Sequence, residues 1–143
     1  MRSEIDTLAE WADQITLCRW ALIIARRVLP YLEQEFPDCQ AVKEGFEIQQ
    51  QWQAGLARMH DVRQAGFRIH EIARQCRSDT AKYAARTAGQ AVGVGHMREH
   101  AMVCSDYVIK TLNCDPVKNS DDIRREREFQ LEELRKLQKT SFL

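Results

Sequence analysis

Apolar residues recur at steps of three and four along almost the whole chain. That spacing puts them on one side of an α-helix and is incompatible with the alternation of a β-strand. The first run reads Ile5, Leu8, Ala12, Ile15, Cys18, Leu22, Ala25, Leu29, Leu32 and Phe36, with Ser3 placed to cap its start. Pro30 lies inside it, so either the helix kinks there or a new helix begins with that proline in its first turn. Pro37-Asp38 ends the run, and Asp38 can cap a second helix, from about Cys39 to Ala54, which Gly55 stops. A third runs from about Leu56 to Arg77, with Met59, Val62, Gly66, Ile69, Ala73 and Cys76 on one face.

The fourth helix, which Ser78 or Asp79 can cap, is unusual in side-chain size. Its face reads Ala81, Ala84, Ala85, Ala88, Ala91 and Val92, with Gly89 in the middle. Small side chains let helix axes approach closely. A mid-helix glycine costs about 1 kcal/mol relative to alanine, so a close contact at Gly89 is its natural compensation. Gly93-Val94-Gly95 then breaks the chain before a fifth helix, from about His96 to Leu112, with His100 or Ala101, Cys104, Val108 and Leu112 inside. A loop over Asn113–Asn119 leads to a charged sixth helix at about 120–139, capped by Ser120 and anchored by Phe129, Leu131, Leu134 and Leu137. The predicted fold is all-α, a compact bundle of five to six helices around an Ala/Gly-rich central helix, forming one domain over residues 1–143.

Charge and cysteine usage narrow the function classes. Lysine plus arginine and aspartate plus glutamate number 21 each, so the formal net charge is zero. A nucleic-acid binder usually carries a basic excess, because its affinity comes from neutralising phosphates; no nucleic-acid partner is expected. Cys18, Cys39, Cys76, Cys104 and Cys114 are odd in number, scattered and without a CxxC pair, which fits free thiols in a reducing cytoplasm. The N-terminus lacks the pattern of a signal peptide. The most apolar stretch, Trp20 to Leu32, is interrupted by Arg26 and Arg27 and is too short to span a bilayer, so no membrane role is expected.

The sharpest chemical motif is His96-Met97-Arg98-Glu99-His100. On one helix, His96 and His100 would share a face and could hold one metal ion. The spelling matches the HxxEH of inverzincin peptidases, for which Glu126, Glu128, Glu132 or Glu133 could nominally supply the remaining ligand. Packing and hydrogen bonding outweigh that reading, and no metal or other cofactor is expected. His60 and His70, ten apart, read as surface residues on different faces. Residues 89–95 lack the Gly-Lys-Ser/Thr ending of a phosphate loop. Cys104, four residues after His100, has nothing beside it in the sequence to lower a thiol pKa. The alternating charges from Asp121 to Glu128 read as a solvated helix face.

The order of segments resembles a known family. Trp20–Tyr31, reading WALIIARRVLPY, and Ala84–Lys110, reading AARTAGQAVGVGHMREHAMVCSDYVIK, resemble motifs of the Imm-5-like family of bacterial immunity proteins. The matching positions are Pro30, the Ala88-Gly89 pair, His96, the His100-Ala101 pair and the spacing of Tyr107 and Lys110. Glu126–Gln130 followed by Leu134 resembles the family's closing helix, although Phe129 stands where a tryptophan is typical and no proline follows the leucine. The similarity spans about residues 11–137. It implies a cytoplasmic immunity protein of a bacterial polymorphic toxin system that binds its cognate toxin stoichiometrically, with no catalytic residues. Trp11, Trp52, Tyr83 or an exposed arginine could anchor such an interface. The alternatives are a small metal protein or hydrolase built on His96, Glu99 and His100, and a helical adaptor, monomeric or homodimeric through the Ala-rich or the C-terminal helix.

Overall fold

The computed structural model describes residues 1–141, which contain eight helices and no strand. They are α1 (Arg2–Glu10), α2 (Gln14–Arg26), α3 (Leu29–Glu33), α4 (Gln40–Gln53), α5 (Met59–Gln75), α6 (Asp79–Gly93), α7 (His100–Asn113) and α8 (Ser120–Ser141). The class is the expected one, but the count exceeds five to six because the first apolar run is three helices rather than one. Asp13 causes the first break: its carboxylate accepts the Thr16 N–H at 2.7 Å and starts α2 afresh. Pro30 causes the second, in the opening turn of α3, where its missing N–H costs nothing. Ser3 does not cap α1, which begins at Arg2, and Asp38 does not cap α4 but takes a left-handed conformation with φ of 57°.

Local signals elsewhere act as their chemistry dictates. Gly55 leaves α4 at φ 77°, a conformation that costs glycine nothing. Ser78 caps α6 through Ala81 N–H at 3.1 Å. Glu35, just past α3, accepts the N–H groups of Arg77 and Ser78 at 2.6 and 2.9 Å and so ties α3 to the entrance of α6. Asn119 and Asp122 exchange side-chain-to-backbone hydrogen bonds at the start of α8, a reciprocal cap that supplants the expected Ser120.

The small-residue helix sits where its composition requires. α6 packs against α2, α3, α4, α5 and α7, and Ala81, Ala84, Ala85, Ala88, Ala91 and Val92 are fully buried. Close approach is direct at one point, where a Cβ on Gly66 of α5 would lie 3.5 Å from the Gly89 carbonyl oxygen. Consumed inside the fold, the Ala-rich face is not available for the homodimer contact considered above. The polar core is organised by two glutamines. Gln49 of α4 donates to the carbonyls of Cys18 and Ala91 at 3.2 and 2.8 Å. Gln130 of α8 donates to Ser105 O at 3.1 Å and accepts from the Ser105 hydroxyl at 2.8 Å, while its own carbonyl accepts the Trp20 indole N–H at 2.9 Å.

Trp20 is the largest fully buried side chain. Trp20→Ala is therefore expected to lower stability by about 3–5 kcal/mol in urea unfolding. Trp11, 79% exposed, is the internal control, and Trp11→Ala should change stability by less than about 0.5 kcal/mol.

Candidate functional site

Gly89 and Gly93 are four residues apart on α6, so their missing side chains open two neighbouring notches on one face. An imidazole sits in each. A Cβ on Gly89 would come within 2.6 Å of His70 Cε1, and a Cβ on Gly93 within 3.0 Å of His100 Cδ2. The compensation for Gly89 is thus chiefly a histidine ring from α5. His96 completes the group from the turn between α6 and α7, its ring centroid 5.0 Å from that of His100. A cleft of about 110 Å³ lies among the three rings, the two glycines, Arg63 and Phe67.

The turn that carries His96 is firmly held. Gln14 of α2 donates to Val94 O at 2.8 Å, Arg98 donates to Ala9 O and Ala12 O at 3.0 and 2.9 Å, and Gly95 is packed on Val62. This turn corrects two expectations. α7 starts at His100, not at His96, so the two histidines do not share a helix face; the backbone turn brings their rings together instead. His70 is not a surface residue: it is half-buried against α6 and belongs to the cluster. Nothing in the sequence marks it, beyond the certainty that something must lie over Gly89.

Each ring is kept neutral. Burial pushes His70 down to about 4, with Arg86, His100 and Arg74 adding repulsion. Burial also lowers His96, helped by His100 and Arg63, and lowers His100, against a weak opposing pull from Glu99. His100 Nδ1 lies 2.6 Å from Gln90 Oε1, which fixes its proton on Nδ1. The Nδ1 atoms of His70 and His96 are sealed from water without a partner. The favourable tautomer of both therefore carries its proton on Nε2, leaving an N–H donor on the side that is not sealed.

Around the cleft, cations and aromatic rings continue along α6 and α7. Lys110 Nζ sits 4.6 Å from the Tyr83 ring centroid and 5.7 Å from that of Tyr107, and the two rings stack at 6.0 Å. Arg63 lies 5.3 Å over Phe67, a ring 46% exposed, and Val103 of α7 is 39% exposed. Among the described residues, Arg63, Arg74, Arg86 and Lys110 have no carboxylate within 4.0 Å, a state they share with Arg19, Arg68, Lys118 and Lys139 on other parts of the surface.

Of the positions that carry the family resemblance, Gly89, His96, His100, Tyr107 and Lys110 reach this face, while Ala88 and Ala101 are core and Pro30 begins α3. Of the suggested anchors, Tyr83 lies here, Trp52 packs partly against the core and Trp11 stands in solvent at the far end of α1. No three His, Cys, Asp or Glu side chains among the described residues converge on a metal-sized site. Glu126, a nominal source of the remaining ligand, is held instead by a two-point ion pair with Arg27 at 3.0 and 3.1 Å. Cys104 turns away from the cluster toward the carbonyls of Ala21 and Thr87, and complete burial pushes its thiol far up. A hollow of about 590 Å³ beside α3 and α4 is lined by Phe46 under Arg26 and by a solvated Lys43–Asp38 pair, with no orphaned polar group. No helix among the described residues is long and apolar enough to cross a membrane.

Two outcomes test this geometry. The ring over Gly89 is the movable end of a side chain, so Gly89→Ala should expel it at little net cost, because alanine restores about 1 kcal/mol of helix propensity. NMR titration of the variant should then find His70 protonating well above 4, toward its ordinary 6.5. The second outcome concerns pH. An unfolded His70 takes up a proton near 6.5 and the folded one only near 4. Between those values the unfolded chain binds more protons, so stability is full above about 6.5 and falls as the pH drops toward 4. His70→Gln should flatten that fall in urea melts across this range; an unchanged slope would show that the ring is solvated.

Among known families, the one described as "Imm-5 like putative immunity protein" matches residues 7–137. No curated protein matches the chain. No solved structure matches it either.

Proposed function

The chain belongs to the Imm-5-like family of immunity proteins, and on that premise we propose that it protects a bacterium by binding a cognate toxin one to one and obstructing it. The observation that carries this reading is the extent of the family match, which takes in seven of the eight helices whole or in large part, from residue 7 to residue 137. The physical character of the chain supports it. Stoichiometric inhibition asks for a preformed surface on a rigid scaffold, since ordering a loose one would subtract from affinity. The α5–α7 face meets that need: its rings are stacked, and its histidines are seated in notches of a buried helix. The toxin in this reading is a product of a polymorphic toxin system, and the complex forms in the cytoplasm.

Co-expression tests the proposal. The chain and the toxin-like product of an adjacent gene should co-purify in equal amounts, and cells should survive the toxin only when the chain is present. Cells that survive equally well without it, with no complex recovered, would refute the reading.

A further inference from the structure

Two buried stripes, one on α4 and one on α5, both end in a cysteine, and both end at the same level of the bundle. On α4 the inward positions Val42, Phe46 and Gln49 extend back by one more helical step to Cys39, which precedes the helix. On α5 Val62, Ala65, Ile69 and Ala73 extend forward by one step to Cys76, which ends it. Both cysteines are half-buried and packed on the core. A short connection joins the two helices, which pack on each other as an antiparallel hairpin. Gly45 faces Ile69 across the pair, where a Cβ would meet Cδ1 at 2.7 Å. Cys39 lies six residues before Gly45, and Cys76 seven residues after Ile69. Equal rise in both helices therefore brings the two cysteines level to within about one residue, or about 1.5 Å along the axis.

A second set of contacts holds the same level from outside. Glu35, four residues before Cys39, accepts the N–H groups of Arg77 and Ser78 and the Ser78 hydroxyl at 2.6, 2.9 and 2.8 Å. The segment entering Cys39 is thereby tied to the segment leaving Cys76. The sulfurs also sense each other: burial and Glu35 raise the Cys76 thiol, and negative charge on Cys39 raises it further. The other cysteines are placed differently. Cys18 and Cys104 are completely buried, and burial pushes the first up to about 12 and the second far up. Cys114 closes α7 beside Asp115, whose carboxylate accepts the Tyr31 hydroxyl. Cys39 and Cys76 combine enough exposure to meet an oxidant with the register to meet each other.

We propose that Cys39 and Cys76 form a redox site: a hydroperoxide joins them in a disulfide that staples the open end of the α4–α5 hairpin, and a dithiol reopens it. In the first step the Cys39 thiolate attacks the outer oxygen of the hydroperoxide. The O–O bond breaks, the alcohol leaves, and the sulfur becomes a sulfenic acid. In the second step the Cys76 sulfur attacks that of Cys39, the S–O bond breaks, and the oxygen leaves as water with the Cys76 proton. The two sulfurs together lose two electrons, which the peroxide bond takes up. Cys39 reacts first because Cys76 donates its proton to Ile72 O at 3.4 Å and burial disfavours its thiolate. A dithiol reverses the bond by exchange and is itself left as a disulfide. The closed loop takes in the whole of α4 and α5, so the bond stabilises mainly by constraining the unfolded chain.

Oxidation of the full chain tests the pairing. Reduced, desalted protein treated with a slight excess of cumene hydroperoxide should lose two hydrogen atoms in intact mass and form no covalent dimer. Thiols titrated in denaturant should fall from five to three, and a proteolytic map should join Cys39 to Cys76. The melting temperature should rise by roughly 5–10 °C and return when dithiothreitol is added. Cys39→Ser and Cys76→Ser should each abolish the mass change and the rise, whereas Cys114→Ser should keep both. The reduced serine variants should melt close to the reduced native chain; where one does not, the map of the native chain decides. Five thiols left free, a bridge that includes Cys114, a bridge between two chains, or oxygen added to Cys39 with Cys76 still free would each overturn the pairing. A correctly bridged chain that melts no higher would overturn the staple.

Discussion

Almost everything in this fold depends on the closeness with which other helices can approach α6. Its buried positions are alanine, glycine, threonine and valine, and it touches five other helices. A helix so nearly bare lets its neighbours pack backbone against backbone, as at Gly66 and Gly89. The consequence is that bulk must come from the surrounding helices: Trp20, Leu22 and Ile24 from α2, Leu32 from α3, Ile69 from α5 and Leu134 from α8 are fully or almost fully buried. Small in the middle and large around it is a packing solution that fills space without voids. It also explains the notches. Where the central helix lacks even a Cβ and no apolar group covers the gap, a ring from the next helix fills it.

The termini are secured by polar chemistry rather than by apolar mass. α8 carries few buried hydrophobic residues, and its place is set by Gln130, which joins Trp20 of α2 to Ser105 of α7. Arg127 adds bonds to Ser105 and Asp106, and Arg2 meets Asp106 from α1 with two more. Gln138 reaches back to Leu8 O at 3.2 Å. Each neutral hydrogen bond of this kind contributes about 1 kcal/mol net, and exposed ion pairs contribute less. Together they define register, because a one-residue slip of α8 would strand several buried polar atoms at once. Phe129 fits this scheme by receiving the Arg27 guanidinium 4.1 Å over its ring while that arginine pairs with Glu126.

For an immunity protein these two features divide the labour. A stiff centre holds the α5–α7 face in one shape before any partner arrives, so little conformational entropy remains to be lost on binding. The polar bonds of Gln130 and Gln138 fix how α8 lies against that centre. The neutral histidines sit on that face, held because α6 seats the rings of His70 and His100 and because His100 donates to Gln90.

The sequence by itself determined the helical class, the central place of the alanine- and glycine-rich helix, the breaks at Pro30, Gly55 and Gly93, and the family. Each of these rests on local spacing, backbone preference or an ordered set of motifs, which operate within a few turns of chain. The division of the first run at Asp13 was just as local, yet it was hidden because the apolar spacing continues across Trp11–Asp13 without a gap in period. Only the tertiary structure decided that His70 of α5 meets His96 and His100, that Arg86 and Lys110 share their face, and that Gln49 and Gln130 are core. Those pairings join residues dozens of positions apart, and which ring falls into which notch depends on how helices cross, a relation that no periodicity along one strand of sequence encodes.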